Sequence, residues 1–92
     1  MLQTMIIKSD STMKDAKPDN GNKFTLQEMQ YIVNGFIEIL RSPGGNYMVV
    51  NEEGRLLDLP INKKATAIYR EEFGGKDVIV GDVLICSKNQ ID

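Results

Sequence analysis

The sequence predicts one small α+β domain in which two helices pack on an antiparallel sheet with meander connections. The chain has 92 residues, which is enough for a single domain. Two segments carry apolar residues at helical spacing, and several shorter apolar segments are bounded by Gly, Pro and Asn, as strands usually are. We expect an N-terminal strand and mobile polar arm at residues 1–23, a compact domain at 24–87 and a frayed tail at 88–92.

The N-terminal part begins with a short predicted strand at residues 5–8 and continues into a polar segment at 10–22. This segment contains Pro18 and Gly21 and few apolar side chains. Such a composition is typical of loops, so we expect a mobile or turn-rich arm there.

The first helix is predicted by a capping box, in which the Thr25 hydroxyl and the Glu28 carboxylate each accept a backbone N–H of the other residue. Apolar residues at helical spacing follow: Leu26, Met29, Ile32 and Val33. Gly35 is suited to a left-handed cap after Asn34. The predicted helix therefore covers residues 26–33.

A β-hairpin is predicted next, with strands at residues 36–41 and 47–50 and a turn between them at 42–46. In the first strand, alternate residues should face opposite ways. One set is Ile37, Ile39 and Arg41, and the other is Phe36, Glu38 and Leu40. Because neither set is fully polar, we expect both faces of this strand to be partly covered.

The second half predicts a turn at residues 51–54, a third meander strand at 55–58 and a core strand at 83–86. Between the last two, Asn62 is a favourable N-cap for a second helix at residues 63–73.

Composition and charge exclude several classes of protein. The net charge is -2, which argues against direct DNA binding but leaves room for a small basic site. With no His and with Cys86 as the single cysteine, a Cys-and-His zinc site and a His-activated nucleophile are excluded. The adjacent carboxylates at 52–53 and 71–72 do not have the spacing of an acid–base pair. We therefore expect no metal, no cofactor and no catalytic residues, and a binding protein is favoured over an enzyme.

No apolar run approaches the length of about 20 residues that a membrane-spanning helix needs. The N-terminus also lacks the pattern of a secretory signal. We therefore expect a cytoplasmic protein without membrane contact.

The start of the second helix is the strongest candidate for a ligand site. Lys63 and Lys64 occupy its first turn, where the helix dipole disfavours cations by a few tenths of a kcal/mol to about 1 kcal/mol. A bound phosphate would offset this cost, with Asn62 and Thr66 supplying hydrogen bonds. The competing interpretation is that both lysines simply point into water.

Further residues could complete this anion site. Arg70 or Arg41 could bind a second phosphate, and Tyr69 or Tyr47 could stack on a base. Asn51 belongs to a second polar cluster that a short intervening strand could bring to the same edge of the domain.

Four runs in a fixed order carry a resemblance to a known family: Asn-Gly-Phe-Ile-Glu at 34–38, Tyr-Met-Val-Val-Asn-Glu-Glu-Gly at 47–54, Leu-Pro-Ile-Asn-Lys-Lys-Ala-Thr at 59–66 and Val-Ile-Val-Gly-Asp-Val-Leu-Ile at 78–85. Over roughly residues 24–86 the chain resembles a small domain-of-unknown-function family that is widespread in phages and mobile elements. The N-terminal arm falls outside this resemblance. The resemblance implies a phage-type accessory protein in the host cytoplasm and supplies no catalytic residues.

Two functions fit a small phage-type protein without catalytic residues. The favoured one is sequestration of a small anionic signal, such as a cyclic or other signalling nucleotide, which would counter host defence. It predicts a pocket lined by Lys, Arg, Asn, Thr and Tyr. The alternative is a protein–protein inhibitor of a host defence or restriction factor, which predicts an exposed apolar or acidic patch.

We also expect a homodimer or larger homo-oligomer. A chain of this length buries only about 60 to 65% of its unfolded surface, and the predicted sheet leaves an exposed edge that a second copy could cover.

Overall fold

The computed structural model describes residues 3–91 of the chain. Its two helices are α1 (Leu26–Val33) and α2 (Lys63–Glu72), and one turn of 3₁₀ helix covers Lys88–Gln90. The strands are β1 (Met5–Ile7), β2 (Met13–Asp15), β3 (Ile37–Arg41), β4 (Asn46–Asn51) and β5 (Val83–Ser87). They form one antiparallel sheet in the order β2-β1-β5-β4-β3. The α+β class, both helices, the β3–β4 hairpin and the core strand β5 are confirmed.

The two helices cover opposite faces of the sheet, because successive residues of each strand point to opposite sides. Val49 and Leu84 pack with Met29 and Val33 of α1, whereas their strand neighbours belong to a second cluster with Ala65 of α2. Each buried aliphatic side chain of this kind contributes about 1.5 to 3 kcal/mol. The alternation predicted for β3 is also present. Its isoleucines pack toward α1, and Leu40 packs toward α2.

Helix α1 begins as predicted and ends differently. The Thr25 hydroxyl accepts from the Glu28 N–H at 3.1 Å, and the Glu28 carboxylate accepts from the Thr25 N–H at 3.0 Å. The left-handed residue at the end is Asn34, with φ of 63°, so the prediction that Gly35 takes this role is wrong. Gly35 is instead needed for close packing, since a Cβ there would lie 2.7 Å from the Asn51 side-chain nitrogen.

The predicted third meander strand at residues 55–58 is also wrong. This segment forms turns, in which the Leu57 N–H donates to the Glu53 carbonyl at 2.9 Å and the Asp58 N–H donates to the Arg55 carbonyl at 3.1 Å. The physical reason is that the position beside β4 is occupied by β5, which brings a fully buried apolar run. Leu56 stays 85% exposed.

Two segments that were predicted to be irregular contain regular structure. The polar arm contains β2, which pairs with β1 along its whole length. The predicted frayed tail contains the 3₁₀ turn, and Ile91 forms a bridge with Phe24. Residues 1, 2 and 92, which belong to the predicted arm and tail, lie outside the described residues. None of the described helices is long and apolar enough to cross a membrane.

Candidate functional site

Asn62, the first residue of the predicted anion site, is fully buried. Its Oδ1 accepts the Ala65 N–H at 3.0 Å, which caps α2 as predicted. Its Nδ2 donates to the Ile7 and Gly81 carbonyls, each at 2.9 Å. The side chain therefore ties the start of α2 to the end of β1 and to the turn before β5, and its polar atoms bond within the protein.

Thr66 and Asn51 are used in the same way. The Thr66 hydroxyl donates to the Asn62 carbonyl at 2.8 Å and accepts the Ile79 N–H at 2.9 Å. The Asn51 side chain donates to the Val33 carbonyl at 3.0 Å and accepts the Glu53 N–H at 2.8 Å. Both side chains are buried. Asn51 joins the end of α1 to the turn after β4, and Thr66 joins α2 to the segment before β5.

The charged members of the predicted site lie on the surface of α2. Lys63, Lys64 and Arg70 are exposed. Tyr69 is half-buried, packs against the core and lies 6.0 Å from the Phe73 ring, centroid to centroid. The structure therefore places cations at the start of α2, but it directs the neighbouring Asn and Thr side chains into the protein.

Arg41 and Tyr47 lie in a different place, opposite each other at the turn end of the β3–β4 hairpin. The Arg41 guanidinium carbon is 5.3 Å from the Tyr47 ring centroid, a cation–π distance. Both residues line a cleft of about 720 Å³ between the hairpin turn and the 3₁₀ turn. We call it the hairpin cleft. Its charged and polar lining includes Arg41, Ser42, Asn46, Ser87, Lys88 and Asn89.

The hairpin turn is shaped by its sequence and attached to the 3₁₀ turn. The Ser42 hydroxyl accepts the Asn46 N–H at 3.0 Å, and Gly45 adopts a left-handed φ of 85° that suits glycine. The Lys88 N–H donates to the Gly45 carbonyl at 3.0 Å. The absent Cβ of Gly45 would lie 3.8 Å from the Lys88 Cδ, so the lysine stem passes beside the glycine.

Gln90 holds the other side of the cleft. Its side-chain oxygen accepts the Thr4 hydroxyl at 2.7 Å and the Ser87 N–H at 2.9 Å. Ser87 and Gln90 occupy the capping-box positions of the 3₁₀ turn, where the Gln90 side chain accepts the Ser87 N–H. This turn places Lys88 in the cleft.

The sequence-based prediction did not include Lys88, because residues 88–92 were expected to fray. A signal was available, since Ser87 and Gln90 have the same capping-box spacing that identified α1.

The charges of the hairpin cleft have one sign. Among the described residues that line it, Arg41 and Lys88 are cationic and none carries a carboxylate. A groove of about 700 Å³ between α1 and the N-terminal arm differs, because its lysines lie among carboxylates. These charged residues are Lys14, Lys17, Asp15, Asp19 and Glu28. The hairpin cleft is therefore the better match to an anion.

Within residues 3–91, no group of three or more His, Cys, Asp or Glu side chains is placed to hold a metal ion. Burial raises the pKa of the Cys86 thiol to about 12, so its nucleophilic thiolate is scarce at neutral pH.

Fold and cleft together define a small α+β domain with a helix on each face of its sheet and a cationic cleft at one end. The chain belongs to a family described as a domain of unknown function, DUF3846, whose sequence profile matches residues 2–92. The match includes the N-terminal arm, so the expectation that the arm falls outside the family is wrong. No curated protein and no solved structure matches the chain.

Proposed function

We propose that this protein is a non-enzymatic binder of a small anionic ligand that carries phosphate, and that the hairpin cleft is its site. One observation carries the proposal. Two cations and no carboxylate line the cleft among the described residues, although the whole chain has a net charge of -2. Concentrating positive charge in one cleft of an acidic chain favours anions there.

Both cations are exposed and lie on backbone that the fold positions at the cleft. Arg41 stacks on Tyr47, and its planar guanidinium can donate two parallel hydrogen bonds to a phosphate. The backbone of Lys88 is placed beside the hairpin turn by its bond to Gly45, and its exposed side chain lines the cleft. Hydrogen bonds to charged groups contribute about 1.5 to 3 kcal/mol each, so the pair can supply most of a modest binding free energy.

Within this proposal, the ligand is a signalling nucleotide and the protein sequesters it against a host defence, as a phage-type accessory protein in the host cytoplasm. The cleft volume of about 720 Å³ supports a ligand of this size, since small-molecule sites usually have about 300 to 1,000 Å³. Stacked Arg41 and Tyr47 offer planar groups for a base, and the cleft lining supplies neutral donors such as Asn46.

Calorimetry with inorganic phosphate, 5′-AMP and cyclic di-AMP tests this function. The Arg41→Ala/Lys88→Ala variant should weaken the binding of any probe that the unaltered protein binds by roughly 10²-fold or more, since each 1.4 kcal/mol is a factor of ten. The matched variant is Lys63→Ala/Lys64→Ala, which also removes two exposed cations and should bind as the unaltered protein does.

If Lys63→Ala/Lys64→Ala weakens binding and Arg41→Ala/Lys88→Ala does not, the anion site lies at the start of α2 and the assignment to the hairpin cleft is overturned. If the unaltered protein binds none of the three probes at millimolar concentration, the proposal of a small phosphate-bearing ligand is contradicted.

A second function, inhibition of a protein partner, is favoured by a different surface. In the turns after β4, Leu56 is 85% exposed and Leu57 is 55% exposed. Adjacent exposed leucines are a feature of protein contact sites. In a cell-based defence assay, this function predicts that Leu56→Glu/Leu57→Glu removes protection, while Arg41→Ala/Lys88→Ala retains it. Ligand sequestration predicts the reverse.

A further inference from the structure

Strand β3 forms a free edge of the sheet, because β4 is its single partner among the described strands. The Phe36 carbonyl accepts the Glu52 N–H at 2.8 Å, and the Ser42 N–H donates to the Asn46 carbonyl at 2.9 Å. In an antiparallel pair these bonds recur at every second residue. The backbone N–H and C=O groups of Ile37, Ile39 and Arg41 therefore point away from the sheet.

The opposite edge of the sheet is built differently. Strand β2 has three residues, all exposed, and includes Lys14. Short and charged edges discourage pairing with another chain. Strand β3 has five residues, Ile37–Arg41, with half-buried isoleucines and neither Lys nor Pro. Its charged residues, Glu38 and Arg41, are exposed, but its three successive central residues, 38–40, can pair with another strand.

We propose that two copies of this chain pair through β3 in antiparallel orientation about a two-fold axis at Ile39. The two five-stranded sheets then become one continuous sheet. Ile39 lies opposite its own copy, and Ile37 lies opposite the partner's Arg41. All of these residues direct their backbone groups outward, so about six backbone hydrogen bonds form across the axis.

Two adjacent registers would also set outward backbone groups of the two copies opposite each other, and the sequence of β3 disfavours both. Pairing centred on Glu38 would set two carboxylates directly opposite each other, which is unfavourable. Pairing centred on Leu40 would set Ile37 opposite the partner's Pro43, which has no N–H to donate. Pairing centred on Ile39 sets Glu38 opposite the partner's Leu40 and brings no like charges directly opposite each other.

Exposed apolar groups beside β3 support a second copy as the occupant. Phe36 is 62% exposed and shares a strand face with Leu40. The exposed Leu56 lines a cavity together with Leu40 and Glu38. An antiparallel partner strand running along β3 passes beside this apolar surface, which would then lose contact with water.

Sedimentation equilibrium at micromolar concentration tests the pairing. The unaltered protein should be dimeric, and Ile39→Pro should be a folded monomer, because it removes an outward N–H without removing a β3–β4 bond. The matched control is Met13→Pro on β2. The Thr12 carbonyl accepts the Lys8 N–H, and the Ala16 N–H donates to the Thr4 carbonyl. Because such bonds alternate along an antiparallel pair, the Met13 N–H also points away from β1. This control should stay dimeric.

A monomer mass for the unaltered protein, or a dimeric Ile39→Pro, would overturn the proposal. Circular dichroism establishes whether each variant is folded. Neither measurement involves a ligand, so dimer formation and anion binding succeed or fail separately.

Cysteine scanning reads the register and does not depend on the proline variant. Single substitutions Glu38→Cys, Ile39→Cys and Leu40→Cys are oxidised and separated on a non-reducing gel. Opposed Cα atoms in a hydrogen-bonded pair lie about 5.5 Å apart, within disulfide range. Ile39→Cys should form the intermolecular bridge, whereas buried Cys86 stays reduced. Bridging at 38 or 40 in place of 39, or at none of the three, would contradict the axis.

Discussion

The start of α2 and the hairpin cleft each present two cations, but the polar residues beside them differ in burial. Asn62 and Thr66 are buried, whereas Asn46 and Asn89 are at least partly exposed. At α2, Lys63 and Lys64 flank the buried Asn62, whose side-chain atoms bond to backbone groups of the protein. In the cleft, Arg41 and Lys88 lie among polar residues that line an open volume. A pair of cations in sequence therefore does not define an anion site, because the burial of the neighbouring donors decides whether a ligand can use them.

The difference follows from what each region does in the fold. The start of α2 joins the helix to β1 and to the turn before β5, so its amide and hydroxyl groups must satisfy buried backbone groups. The hairpin turn and the 3₁₀ turn lie at the end of the sheet, where none of the described helices or strands packs between them. Four tests sharpen this contrast, from the largest expected effect on stability to the smallest.

Asn62→Ala should lower the free energy of unfolding by about 2 to 4 kcal/mol, because it leaves the Ile7 and Gly81 carbonyls and the Ala65 N–H without their partner. Asn46→Ala, at the matched position in the cleft, should change it by about 0.5 kcal/mol or less. Urea denaturation measures both. If both variants lose the same free energy of unfolding, the start of α2 and the hairpin cleft do not differ in how far their polar side chains support the fold.

Thr66→Val should lower the free energy of unfolding by about 1 to 2 kcal/mol, since it keeps the shape of the side chain and leaves the buried Ile79 N–H without an acceptor. Thr66→Ser restores the hydroxyl and serves as the control. If Thr66→Val is as stable as the unaltered protein, the hydroxyl does not hold this connection.

Lys63→Glu should raise the free energy of unfolding by about 0.3 to 1 kcal/mol, because an acidic residue suits the first turn of a helix. Phosphate binding should not change. Lys88→Glu should have the opposite profile, with stability nearly unchanged and phosphate binding lost. Thermal unfolding and calorimetry on both variants check this pair, and loss of phosphate binding in Lys63→Glu would assign the site to α2.

The smallest expected effect is on the dependence of stability on acid pH. It comes from the first turn of α1, which contains Glu28, whereas the first turn of α2 contains no carboxylate. Backbone hydrogen bonds from Thr25 and Asp19 lower the pKa of Glu28 from its ordinary value of 4.5. Its stabilising contribution is therefore complete above that value and is lost as the pH falls through the lowered pKa of the folded state.

Glu28→Gln should accordingly flatten the dependence of stability on pH below about pH 5. Urea midpoints at pH 3 and pH 6 for the variant and the unaltered protein measure this. Identical acid sensitivity would show that the capping carboxylate does not contribute.

The sequence by itself determined the elements that depend on residues close together in the chain. Thr25 and Glu28 identified the start of α1, Asn62 identified the cap of α2, and the turn at 42–46 identified the β3–β4 hairpin. Each of these signals acts through hydrogen bonds between residues three or four positions apart, so the local pattern is sufficient.

The tertiary structure decided which strand lies beside β4 and, through this, where the candidate site lies. Asn46 pairs with Ser87, which brings Arg41 and Lys88 to one cleft from distant parts of the chain. The tertiary structure also placed the Asn62 and Thr66 side chains inside the protein. Such contacts depend on which apolar runs bury each other across the sheet, and no pattern within a few residues encodes that choice.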